Sequence, residues 1–284
     1  MTLVTATWHL PRGSARAVLL PEGDHLLLVG GLDGSRRTTA QVLRLDPATG
    51  AVAPAGTLAA GVHDAAGAVL RGVPMVFGGG SSTESRAVQA LRPGATARVI
   101  GQLPIPRSDL ATATIANRAF LLGGYDGASI RGTALATADG VTFDRLGDLP
   151  IPVRYPAVAA LGRDVYVIGG STGAGAVRAV QVLDTASGTV RLAGQLPEPL
   201  TDAVAATLRG RVYVFGGSYG GVPSAQVWRL DVGTSGAASI ALTPVATLPT
   251  PVTDAAVAVL GDTAYLVGGE SPALLTTVSM LEAR

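Results

Sequence analysis

Residues 196–217 read Leu-Pro-Glu-Pro-Leu-Thr-Asp-Ala-Val-Ala-Ala-Thr-Leu-Arg-Gly-Arg-Val-Tyr-Val-Phe-Gly-Gly, and this stretch decides the fold. Residues 202–208 form a strand of small side chains. Arg209-Gly210 supplies a tight turn, and residues 212–215 form a continuous apolar strand stopped by Gly216-Gly217. Downstream, residues 225–230 alternate in polarity, and a further strand near residues 239–245 leads into Leu248-Pro249. β-branched and aromatic residues punctuated by Gly and Pro indicate strands, and no helical period is evident.

The pattern recurs along the whole chain. Gly-Gly ends an apolar run at residues 30, 78, 123, 169, 216 and 268, in steps of 48, 45, 46, 47 and 52. A Leu stands 20 residues before each pair, at Leu10, Leu58, Leu103, Leu149, Leu196 and Leu248, and Pro follows all but Leu58. Length varies only between a Gly-Gly and the next Leu, where the gap runs from 25 to 32 residues. Packed strands resist insertion and surface loops tolerate it, so one rigid and one elastic half per unit describe a strand repeat.

Across a unit the first strand is small, the second apolar on both faces, the third alternating and the fourth polar. That gradient is radial: a crowded inner strand, a strand buried between neighbouring sheets, then half-buried and outer strands. The expectation is a six-bladed β-propeller of four-stranded antiparallel blades starting near residues 10, 58, 103, 149, 196 and 248. From Gly268 through the C-terminus and on to Leu10 the wrapped gap is 26, within the interior range. Residues 278–282 match a third strand, so residues 2–7 are expected to supply the fourth strand of blade 6 and close the ring, covering an edge that would otherwise invite aggregation. Residues 1–284 are expected to be one domain.

These glycines, the period near 47 residues and the four strands per unit resemble a bacterial Kelch-repeat β-propeller, the fold of the galactose oxidase central domain. The resemblance covers essentially the whole chain. The chain departs from the common Kelch pattern downstream of the glycines, where Leu45-Asp46, Leu183-Asp184 and Leu230-Asp231 replace Tyr and Trp. The resemblance implies a binding or interaction module. Enzyme relatives are tested by composition. The galactose oxidase copper site needs a Cys, and this chain has none. The repeated Ser-x-Asp-x-Gly-x-Thr-Trp turns of sialidases do not occur. Iron-binding Kelch specifier proteins cluster Glu, Asp and His, whereas His9, His25 and His63 occupy dissimilar repeat positions. A mutarotase-like enzyme acting on a sugar with Arg and carboxylates in the channel stays open.

Composition bounds the rest. A net charge of +1 carries no nucleic-acid footprint. Without Cys or Lys there are no disulfides, thiolate nucleophiles or Schiff-base lysines. No metal and no cofactor is expected, nor membrane insertion by this segment, and the propeller should be a monomer. No signal peptide stands at the N-terminus, so the expectation leans to an extracytoplasmic module whose targeting segment lies outside this chain, with a cytoplasmic location open.

Most motifs have structural readings. Gly-Gly suits close backbone approach at a strand end rather than phosphate binding. Asp46 to Gly50 and Asp184 to Gly188 read as turns in which the Asp accepts backbone N–H bonds. One ring has two readings. Six residues after each marker Leu come Arg16, Asp64, Asp109, Tyr155, Asp202 and Asp254, at the start of the innermost strand. Each Asp could tie its Pro-rich connection to backbone donors. Alternatively the ring is a polar mouth in which Arg16 and Tyr155, facing each other, define an elongated pocket. Loops on the same side add Tyr125, Asp126, Arg131, Tyr219, Arg36 and Arg37 as candidate binding residues. The expected ligand is a protein segment or a saccharide held non-catalytically. Reverting Arg16 and Tyr155 to Asp is expected to leave the fold intact and weaken binding.

Overall fold

The computed structural model describes residues 1–233 and 240–283. The fold is an all-β propeller. Five consecutive units each give four antiparallel strands in chain order from the inside outwards, and Ala95–Thr96 of the second unit adds a parallel strand at the outer edge of the first. The first unit begins with Val18–Glu22 and His25–Val29, and the fourth with Ala157–Leu161 and Asp164–Ile168. A further four-stranded sheet joins the two ends of the chain. Its order is Ala256–Leu260, Thr263–Val267, Val278–Glu282 and Thr2–Thr5. In it Thr2 lies opposite Glu282 and Thr5 opposite Ser279.

The apolar second strand follows from packing. Along Asp164–Ile168, Val165 and Val167 enter a cluster shared with the third unit, while Tyr166 and Ile168 enter one shared with the fifth. Successive side chains point to opposite faces, and here both faces meet a neighbouring sheet. The same sandwiching joins the end sheet to the first unit, where Val267 and Val278 pack with Leu10, Leu26 and Leu28.

Each Gly-Gly joins its sheet to the next. The first glycine of every pair has φ between 57° and 69°, the second between 82° and 105°. The second N–H donates across the interface: Gly124 to the Val153 carbonyl at 2.8 Å, Gly217 to Val252 at 2.7 Å, and Gly269 to Ser14 at 2.8 Å. That carbonyl lies where a Cβ on the first glycine would be, 2.5 Å away at Gly123. Positive φ and contact with a neighbouring main chain together explain why only glycine recurs.

Some boundaries move. The inner strand of the fifth unit is Val204–Leu208, so Asp202 precedes it. The outer strand there is Ile240–Thr247; Ser239 lies outside the described residues. At the N-terminus the strand ends at Thr5, although the Ala6 N–H still donates to the Val278 carbonyl at 2.9 Å. The Asp turns form as read: the Asp46 carboxylate accepts from the Ala48 N–H at 2.9 Å, and Asp184 from Ala186 at 2.9 Å. Asp231 differs, since its carboxylate takes Arg229 and Thr243 instead.

Candidate functional site at the channel mouth

The six ring positions form one main-chain circuit. Asp64 N–H donates to the Arg16 carbonyl at 3.0 Å, Asp109 to Asp64 at 2.8 Å, and Tyr155 to Asp109 at 2.9 Å. Asp202 donates to Tyr155 at 3.3 Å, Asp254 to Asp202 at 3.0 Å, and Arg16 to Asp254 at 2.9 Å. All six residues are left-handed, with φ from 51° to 57°. Among non-glycine residues Asp is one of those that tolerate this region best. The recurrence of Asp therefore follows from its backbone. Among the described residues no main-chain N–H bonds to these four carboxylates, so the tie to backbone donors read from sequence is corrected.

Arg16 and Tyr155 sit in the same backbone geometry and gain from their side chains instead. The Arg16 guanidinium bonds Asp64 at 3.1 Å and Glu270 at 3.0 Å, with Asp254 at 3.8 Å. It also lies 5.9 Å from the Tyr155 ring centroid. The two opposite exceptions thus reach toward each other instead of flanking an open slot. Arg154 lies over both Tyr155, at 5.2 Å, and Tyr125, at 5.6 Å, and approaches Asp109 at 3.6 Å. Tyr125, Arg154, Tyr155 and Arg16 form a ladder of alternating aromatic and cationic groups, each contact worth about 0.5–2 kcal/mol.

Below this ladder lies a cavity of about 210 Å³, with the six ring residues at its mouth and Ala, Val and Leu of the inner strands as its walls. The carboxylates are poorly solvated there. Burial pushes Asp64 up to about 7 against the pull of Arg16. It pushes Asp202 up to about 6, reinforced by Asp254. Asp109 and Asp254 are raised by burial as well. Glu270 goes the other way: burial opposes it, but bonds from Arg36 and Arg16 hold it low. Burial and the nearby Arg16 charge lower His63.

The loop candidates divide. Tyr125 belongs to the mouth. Arg36 joins it through Glu270 at 2.8 Å and the Pro272 carbonyl at 2.6 Å. Asp126 and Arg131 pair with each other, and Asp126 also accepts from Ala128 at 2.9 Å and Ser129 at 2.7 Å, so the pair fastens its own loop. Arg37 is exposed, and its N–H donates to Asp33 at 3.1 Å within the loop. Tyr219 turns away and packs on Trp228, with centroids 5.2 Å apart.

Glu270 and Arg154 are the members that the sequence reading does not single out. A short ladder places them. The residue directly after Gly-Gly pairs with the residue directly before the ring position: Tyr125 with Ser108, Ser171 with Arg154, Glu270 with Thr253. Those two columns of the repeat alignment carry the signal. Tyr219 lies one residue further on, and strand alternation turns it outward.

The repeat unit has a known counterpart. The Kelch motif family model matches residues 152–197 and 199–235, the fourth and fifth units. The fourth and fifth units of this β-propeller are Kelch motifs. In these two Kelch units the matched segments carry the Gly-Gly relay and the Tyr155 and Asp202 positions described above. No curated protein matches the chain. Among the described residues no helix is long and apolar enough to cross a membrane.

Proposed function

We propose that residues 1–284 form one six-bladed Kelch ring, with the N-terminal strand as the outer strand of the last blade. Three observations support this closure: Thr2–Thr5 pairs along Val278–Glu282, Gly269 donates to Ser14, and the ring circuit returns from Arg16 to Asp254. Deleting residues 1–7 should expose the edge of Val278–Glu282 and cause aggregation or a large loss of thermal stability. A truncated chain that stays monomeric with an unchanged melting temperature would refute it.

The proposed role is a non-catalytic binding module that holds a segment of a partner protein at the channel mouth. The observation that carries it is the convergence of ring, connection and loop side chains on one opening. Kelch propellers typically bind proteins. A stacked saccharide is less favoured, because Tyr155 already carries two guanidinium groups and Tyr219 is packed on Trp228. The test is capture of partners by the isolated propeller. A specific partner should be lost on a double Arg36→Ala, Arg154→Ala variant. It should be kept by Arg163→Ala, which lies in an inner hairpin at the opposite end. Equal retention by both variants overturns the mouth as the site.

One observation favours a second reading, a channel enzyme acting on a sugar. Asp64 contacts Arg16 and has a carboxyl pushed up to about 7, which suits proton transfer near neutrality. Interconversion of sugar anomers, followed by NMR and abolished by Asp64→Asn, would establish it. No turnover above background across pH 5–8 would dismiss it.

A further inference from the structure

A second cavity, of about 380 Å³, lies off the axis in the first unit. Its floor is Leu10, Leu28 and Leu43, and its rim includes Arg12, Ser14 and Asp33. Comparison with sister units shows what the space ordinarily holds. On the third strand of the second unit Gln89 lies opposite Val76, two residues before Gly78. In the fourth unit Gln181 lies opposite Val167, two residues before Gly169. Both glutamines are fully buried, and each clamps the main chain two residues after the marker Leu of its own unit. Gln89 Nε2 donates to the Ala60 carbonyl at 3.0 Å, and the Ala60 N–H donates back at 3.1 Å. Gln181 does the same with Ile151, at 2.9 and 2.8 Å.

In the first unit the register position is Leu43, opposite Leu28. The connection residue corresponding to Ala60 and Ile151, two after the marker Leu, is Arg12. Among the described residues, the N–H and carbonyl of Arg12 have no hydrogen-bond partner. The wall is also cut back. Ser14 stands where other units have Val62, Arg107, Val153, Leu200 and Val252. A Cβ on Gly79 would meet the Val62 Cβ at 2.8 Å and one on Gly170 the Val153 Cβ at 2.9 Å, whereas at Gly31 the nearest atoms belong to Ala15 and Ala17. The third and fifth units lack the glutamine too, but larger side chains occupy the space: buried Arg107 reaches the Thr133 carbonyl at 2.9 Å, and Trp228 packs on Tyr219. In the end sheet the corresponding cavity is only about 10 Å³.

We propose that this first-unit cavity is a binding site for a side-chain carboxamide, the glutamine side chain of a protein segment, which makes with Arg12 the paired hydrogen bonds that Gln89 and Gln181 make in their own units. The apolar floor receives the methylenes, and the amide N–H and oxygen match the Arg12 carbonyl and N–H. A volume near 380 Å³ is within the ordinary range for ligand pockets. The site is separate from the channel mouth and does not depend on it.

The test is titration of the full chain with N-acetylglutamine amide, followed by backbone amide NMR. The Arg12 amide should shift saturably, and N-acetylleucine amide and N-acetylglutamate amide should shift it less. Leu43→Gln supplies the clamp internally, and Ser14→Val fills the wall. Each should weaken the response by about tenfold or more, equivalent to the loss of one or two net hydrogen bonds. Arg163→Ala, in the inner hairpin of the fourth unit, should leave it unchanged. No saturable shift at Arg12, equal shifts with all three probes, or an undiminished response in whichever filling variant folds would overturn the proposal.

Discussion

Gly123→Ala should lower the stability of the propeller by about 3 kcal/mol, a drop in melting temperature of about 6–12 °C for a chain of this size. Two effects combine. Gly123 has φ 69°, where an alanine is strained. Its Cβ would also be placed 2.5 Å from the Val153 carbonyl oxygen, so the neighbouring unit must retreat. Retreat lengthens the bond from the Gly124 N–H to that carbonyl, now 2.8 Å, and loosens the Leu122, Leu149 and Val153 packing beneath it. Gly173→Ala is the control. A Cβ there meets nothing within 4 Å, and its φ is outside the left-handed region, so the change should stay within about 0.5 kcal/mol. Equal melting temperatures for the two variants would show that Gly-Gly is not the inter-sheet joint.

The same joint explains why the propeller was legible in the sequence. A backbone conformation that every unit needs leaves the same residue at the same spacing, and Gly-Gly is such a residue pair. The Asp ring was legible for the same reason but misattributed. Its φ values, rather than carboxylate ties to backbone donors, select Asp64, Asp109, Asp202 and Asp254. The pairing partners were not legible. Glu270 reaches Arg16 across 254 positions of sequence, and only the ladder beside each Gly-Gly brings them together. Tyr219 was misjudged by parity, one residue past the inward column. Asp126 and Arg131 looked like free loop charges because a pair five residues apart gives no sequence sign that it is closed on itself.

Arg16→Gln should destabilise the protein by about 2–3 kcal/mol at pH 8 and by much less at pH 5, because it strands buried carboxylates whose charge depends on pH. Arg16 is the shared counter-ion of Asp64, Asp254 and Glu270. The sign follows from the raised carboxyls. Asp64 at about 7 and Asp202 at about 6 hold protons in the folded state that the unfolded chain has already lost, from near pH 4 upward. Where the folded state binds more protons, stability falls as pH rises. The native protein should therefore lose some stability between about pH 4 and pH 7. Removing Arg16 takes away the charge that opposes this rise, so the slope should steepen and extend to higher pH. Adding Asp64→Asn to Arg16→Gln should recover part of the loss at pH 8, since Asn tolerates the left-handed backbone and carries no charge. The double reversion of Arg16 and Tyr155 to Asp, which on the sequence pattern alone leaves the fold intact and weakens binding, should then be the least stable variant at neutral pH. It suits the backbone at all six positions and leaves six carboxylates around one mouth with Arg16 gone. Urea denaturation from pH 5 to 8 separates these effects. Parallel pH profiles for native and Arg16→Gln proteins would mean that Arg16 is not the counter-ion of the ring.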